Sequence, residues 1–135
     1  MGGGLVTLKI RADFLRVAAA RRRAVALGLV LQAALQPEGS KSGETVRVGF
    51  TASRKVGNAV TRNRAKRRLR HAAATILPRE GRPGTDYILI ARGTTVDRPY
   101  GALIADLKAA LRRVDTGSRV DTGKGTKRSG AGKEG

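Results

Sequence analysis

Apolar positions recur with two different periods along this chain, and the switches between them mark its elements. Residues 25–35, Val-Ala-Leu-Gly-Leu-Val-Leu-Gln-Ala-Ala-Leu, form an almost continuous apolar run bounded by turn-forming residues. Such a run suits a central strand covered on both faces, with helix competing because of its alanines. Residues 45–53 alternate. Val46, Val48, Phe50 and Ala52 face one way; Arg47, Gly49, Thr51 and Ser53 face the other. A turn-rich segment, 37–43, separates the two runs, so they are expected to pair as a hairpin. Upstream, Asp13 can cap or begin a short helix that carries Phe14, Val17 and Ala18 on one side and ends near residues 21–23. After a break at Val56-Gly57-Asn58, a helix is expected to run to about Leu77 and stop at Pro78. Residues 86–92 read as another strand. Pro99 fits the first turn of a last helix reaching about Val114, with Leu103, Leu107 and Leu111 at i, i+4 and i+8.

The two ends follow neither period. Residues 1–8 open with three glycines after Met1 and are expected to fray. From about residue 115, Gly, Thr, Ser and Lys dominate, and Arg113-Val-Asp-Thr-Gly recurs as Arg119-Val-Asp-Thr-Gly. Nothing there can build a core, so 116–135 reads as a disordered basic, Gly-rich tail. Between the ends, residues 9–115 form a single α+β domain.

Charge narrows the partner. Lys and Arg number 28 against 10 Asp and Glu, a net charge of +18 in 135 residues. An excess of that size calls for a polyanion, nucleic acid before an anionic membrane. Arg21-Arg22-Arg23 followed by the apolar residues 24–35 imitates a signal peptide. It begins behind a structured segment, however, and has about half the roughly 20 residues a membrane span needs. No membrane association is expected. Cysteine is absent, which excludes disulfides, thiolate metal sites and a Cys nucleophile and fits a cytoplasmic address. His71 is the one histidine, and Asp13, Asp86 and Asp97 are scattered. We therefore expect no catalytic residue and no metal ligand in the chain; His71 reads as a surface residue or one that contacts the nucleic acid. With no Trp, two Phe and two Tyr, a multi-base stacking platform is not expected.

The strongest signal is the second helix. Between Thr45 and Arg79 there is no acidic residue, and six of the nine residues 62–70 are Lys or Arg. At about 100° per residue, Ala65, Leu69, Ala72, Ala73 and Ile76 fall within one stripe of roughly 100°. With Ala65 at zero, Arg62, Lys66 and Arg70 fall at roughly 60–140°, and Arg67, Arg64 and Arg68 continue around the helix from roughly 200° to 300°. Like charges at i, i+4 each cost a few tenths of a kcal/mol, and no acidic neighbour in the run offsets them. A solvated face usually mixes signs; an unmixed run of this density binds a polyanion. Arginine outnumbers lysine five to one in 62–70, and its planar fork suits phosphate contacts and base stacking. Asn63, between two arginines, can cap the helix or bond a base edge or 2′-hydroxyl.

Residues 47–70, Arg-Val-Gly-Phe-Thr-Ala-Ser-Arg-Lys-Val-Gly-Asn-Ala-Val-Thr-Arg-Asn-Arg-Ala-Lys-Arg-Arg-Leu-Arg, resemble the signature of the protein subunit of bacterial ribonuclease P. The core of the match is Arg62-Asn63-Arg64 followed by Lys66-Arg67. Leu8-Lys9, Arg11-Ala12-Asp13-Phe14 and residues 86–92 resemble other parts of that family, so the likeness spans about 8–114. The resemblance implies a two-layer α+β sandwich of order αβββαβα, similar to the second domain of ribosomal protein S5. It implies a left-handed crossover around the basic helix and an extra strand near 22–24. It further implies a non-catalytic subunit of a ribonucleoprotein endonuclease. In such an enzyme the RNA, with Mg²⁺, removes the 5′ leader of precursor tRNA. The implied partners are the catalytic RNA and the precursor tRNA leader, with no other protein required. Arg62, Asn63, Arg64, Lys66 and Arg67 match the motif that meets the catalytic RNA; the charge map adds Arg68 and Arg70. Phe14, Ser53, Arg54 and Lys55 match a leader-binding cleft, where Phe14 would stack on a base or belong to the core. Ala18 departs from the family, which often carries a second aromatic there. The rival readings are a structural RNA-binding protein of the ribosome and a metal-dependent nuclease acting alone.

Overall fold

The computed structural model describes residues 5–37 and 45–115. Its elements are β1 (Leu5–Thr7), α1 (Arg11–Ala19), β2 (Arg22–Val25), β3 (Leu29–Leu35), β4 (Val46–Thr51), a 3₁₀ turn (Arg54–Val56), α2 (Ala59–Glu80), β5 (Thr85–Ala91) and α3 (Tyr100–Asp115). The order is the implied αβββαβα preceded by one short strand. Residues 5–7, expected to fray, pair in parallel with β4 in the register Leu5 to Val46, and Leu8 is buried behind them. The tail expected at 116–135 lies outside the described residues.

The five strands lie in the order β1-β4-β5-β3-β2. β3 is antiparallel to β2 and β5, whereas β4 and β5 are parallel and are joined through α2. The expected hairpin of 25–35 with 45–53 is therefore not formed, because β5 lies between those strands. Its sequence explains the insertion. Tyr87 and Leu89 are buried on one side and Ile88 on the other, so β5 needs cover on both faces and takes the centre. The apolar run 25–35 is likewise divided. Its first residue ends β2, a turn follows at 26–28, and β3 begins at Leu29. The short strand implied near 22–24 is β2.

α2 and α3 pack on one face of the sheet over Leu29, Leu31, Ala33, Val48, Tyr87 and Leu89. The expected leucines of α3 (Leu103, Leu107, Leu111) are all buried there. α1 covers part of the opposite face, where Val17 and Phe14 meet Ala34, Ile88 and Ile90. Pro78 does not stop α2. The helix continues to Glu80 and closes with a Gly81 N–H to Leu77 carbonyl bond of 2.8 Å. In the last turn a proline removes one helical N–H only, which the helix tolerates. Asp13 lies in the first turn of α1 and does not cap it; the N-cap is Ile10.

Candidate nucleic-acid interface

The start of α2 is fixed locally. Gly57 has φ +149°, where a Cβ would strike Thr61, so glycine suits this turn. Asn58 then caps the helix, its Oδ1 accepting from the Thr61 N–H at 2.9 Å. Asn58 is thus the cap, and Asn63 stands exposed within the helix, free of that duty.

From there the helix divides as its periodicity requires. Ala65, Leu69, Ala72, Ala73 and Ile76 are all buried against the sheet and α3. Asn63, Arg64, Arg67 and Arg70 are exposed, and Arg62 and Lys66 half-buried. Arg70 lies over the Phe50 ring, 5.2 Å from its centroid, which ties this cation to β4. Arg68 serves the fold. Its Nη1 donates to the Thr95 and Val96 carbonyls at 2.6 and 2.9 Å and so anchors the loop before α3. Flanking the apolar stripe on the wheel, its side chain reaches across toward that loop.

The other sequence-predicted group divides in two. Ser53, Arg54 and Lys55 are exposed at the 3₁₀ turn, where Ser53 Oγ accepts from the Lys55 N–H at 3.3 Å. Phe14 is half-buried on α1, with its ring edge against Gly49: a Cβ there would lie 2.6 Å from Cζ. Gly49 is the position at which β4 lets the aromatic ring reach the backbone. Thr51 follows on the same strand face about 7 Å further along, toward Ser53. Phe14 therefore belongs both to the small core under α1 and to the edge of the open sheet face.

α1 is held over that face by charge. Asp86 on β5 is fully buried; Arg47 donates to both its oxygens at 2.7 Å, and Arg16 of α1 pairs with it as well. Arg16 also reaches Asp13 and the Leu35 carbonyl. The Arg47 guanidinium is held above its ordinary pKa by its hydrogen bonds to Asp86, with burial opposing.

Sequence reasoning missed two cations. Ala18, Arg21, Arg23 and Gln32 line an open groove of about 300 Å³ beside α1. Arg21 adopts φ +62°, a left-handed conformation closing the helix where glycine is usual. The signal was the Arg21-Arg22-Arg23 run, whose last two members enter β2 on opposite faces. Arg22 turns inward to the Val114 carbonyl at 2.5 Å, and Arg23 faces the groove.

These features coincide with a known family. Residues 5–115 match the family described as Ribonuclease P. The chain belongs to the ribonuclease P protein family. A Ribonuclease P protein component from Paramagnetospirillum magneticum is 54% identical over 114 residues, covering 84% of this chain and 86% of its own. One from Ruegeria pomeroyi is 51% identical over 112 residues, covering 82% and 87%. The solved RNase P protein of Staphylococcus aureus matches with a TM-score of 0.62 at 25% identity, covering 78% of this chain and 92% of that one. The RNase P protein from Thermotoga maritima shares the fold, with a TM-score of 0.63 at 22% identity over 78% and 96% of the two chains. Among the described residues no helix is long and apolar enough to cross a membrane.

Proposed function

We infer that this chain is the protein component of a ribonuclease P ribonucleoprotein in the cytoplasm. It assists the catalytic RNA in endonucleolytic removal of the 5′ leader from precursor tRNA. The observation that carries this reading is the unmixed cationic face of α2 in a member of the ribonuclease P family. The chemistry belongs to the RNA and its Mg²⁺; the protein binds, orients and neutralises charge. Arg62, Asn63, Arg64, Lys66 and Arg67 meet the RNA, with Arg70 extending the patch beside Phe50.

The precursor tRNA leader runs over the open sheet face beside α1. Phe14 at Gly49 offers one ring edge to it, and Ser53, Arg54 and Lys55 meet its backbone at the end of β4. Arg21 and Arg23 flank Ala18, so charge acts where a second aromatic would stack. A leader held mainly by cations depends more steeply on salt and less on base identity.

The test is a cleavage assay at physiological Mg²⁺ with precursor tRNA and the protein alone, the RNA alone, or both. Cleavage mainly in the mixture, lost with Arg62→Ala and Arg64→Ala together, is the expected result. Cleavage by the protein alone would place an active site in this chain. Tight RNA binding without enhancement would return the reading to a general RNA-binding protein of the ribosome.

A further inference from the structure

His71 and Tyr100 take no part in the surfaces described so far. They meet in a groove of about 220 Å³ between α2 and the start of α3, lined by Arg67, Arg68, His71 and Tyr100. Its walls are mostly carbon, yet both arginines come from the cationic helix. Two of the four side chains are already fixed. The Arg68 guanidinium is held by the Thr95 and Val96 carbonyls. The Tyr100 hydroxyl lies 3.3 Å from Thr75 Oγ1, which donates to the His71 carbonyl at 3.1 Å. The tyrosine is thereby tethered at its hydroxyl while the residue stays 43% exposed. A tethered aromatic loses little further entropy when something stacks on it.

We propose that this groove receives one unstacked nucleobase of the catalytic RNA, a proposal that rests on the RNA-partner reading above. Three features select that occupant. The groove is smaller than the roughly 300–1,000 Å³ of drug-sized pockets, which suits a single ring system. It is continuous with the phosphate-binding face through Arg67, so one strand can place its backbone on α2 and a base between α2 and α3. It has a tyrosine and an imidazole beside two guanidinium planes and no acidic lining residue. That is the chemistry on which splayed RNA bases stack. The solvent-facing arc of α2 and the start of α3 then share the work: phosphates on Arg62, Arg64 and Lys66, a base at Tyr100.

The experiment uses the full chain assembled with ribonuclease P RNA, with base-reactive chemical footprinting and a salt titration of affinity. A single unpaired nucleotide is protected by the natural protein and exposed with Tyr100→Ala. Tyr100→Phe, which keeps the ring and loses only the hydroxyl, retains the protection. Tyr100→Ala weakens RNA binding roughly 5- to 150-fold, the range of one lost base stack. It leaves the slope of log K against log[salt] unchanged, whereas Arg67→Ala flattens that slope. Thermal unfolding of each variant separates a lost contact from a lost fold. An unchanged footprint and affinity with both Tyr100→Ala and His71→Ala, while the RNA still binds with a steep salt slope, overturns the proposal. Protection lost equally with Tyr100→Phe also overturns it, since stacking needs only the ring. Failure of the natural protein to bind the RNA would instead sink the function proposed above.

Discussion

Arg47 and Asp86 face each other across the β4–β5 ladder, and the guanidinium grips both carboxylate oxygens from Nε and Nη2 at 2.7 Å. Asp86 is fully buried, and Arg16 reaches the same carboxylate from α1. One buried charge thus joins two central strands to the helix that walls the open sheet face. Asp86→Asn keeps the volume and removes the charge, leaving Arg47 without its anion and Arg16 with Asp13 alone. Breaking a buried pair costs about 3–5 kcal/mol; both arginines are partly exposed, so about 2–3 kcal/mol is expected here. Urea unfolding measures it, and hydrogen exchange should show α1 opening first. Because the Arg47 pKa is raised, its contribution is complete below the ordinary arginine value and lost only above it. The pair's arginine side therefore adds no pH dependence across neutral pH.

The cationic face of α2 makes the opposite prediction. Arg62→Ala with Arg64→Ala removes two exposed or half-buried cations and relieves like-charge neighbours: Arg62 with Lys66, Arg64 with Arg68. Stability should stay within about 0.5 kcal/mol or rise slightly. RNA affinity should fall, and its salt slope should flatten by about 1.5 from the roughly −4 to −5 expected for six phosphate contacts. A natural slope near −1 would undo the assignment of α2 as the main phosphate surface.

The legible parts of this molecule are those encoded by periodicity. Ala65, Leu69, Ala72, Ala73 and Ile76 are buried because a 3.6-residue repeat leaves them no other side. Pairing is not encoded that way. The alternation of 45–53 says which residues of β4 face together but not that β5, almost forty residues later, pairs with it in parallel. Lone charges were equally opaque. Asp86 looks like a scattered carboxylate until Arg47 and Arg16 converge on it from elements far apart in sequence. Arg68 was counted with the RNA-binding cations because a charge map cannot see the carbonyls of Thr95 and Val96.

That last difference can be measured. Arg67 is exposed, whereas Arg68 satisfies two loop carbonyls. Arg68→Ala should destabilise the fold by about 1–3 kcal/mol, since it leaves partly buried acceptors without a donor. Arg67→Ala should cost less than about 0.5 kcal/mol and act on RNA affinity. Equal stability for the two variants, read from chemical denaturation, would contradict the division of labour between neighbouring arginines.

Arg21 couples strain to charge at the mouth of the groove beside Ala18. Its φ of +62° costs a non-glycine residue roughly 1–2 kcal/mol, and the Arg21 N–H still closes α1 on the Ala18 carbonyl at 3.2 Å. Glycine would hold the same turn without that cost but with more freedom in the unfolded chain, for a net gain of about 0.5–1 kcal/mol. Arg21→Gly is therefore expected to raise the unfolding midpoint while removing one cation from the groove. With the holoenzyme, affinity for precursor tRNA should fall several-fold and become less steep in salt, while affinity for mature tRNA, which lacks the leader, stays the same. Arg21→Lys separates the two effects: it keeps the strain and the charge, so it should keep leader affinity without the gain in stability. If Arg21→Gly weakened mature and precursor tRNA alike, the groove would not be a leader surface, and the strained arginine would be serving the catalytic RNA.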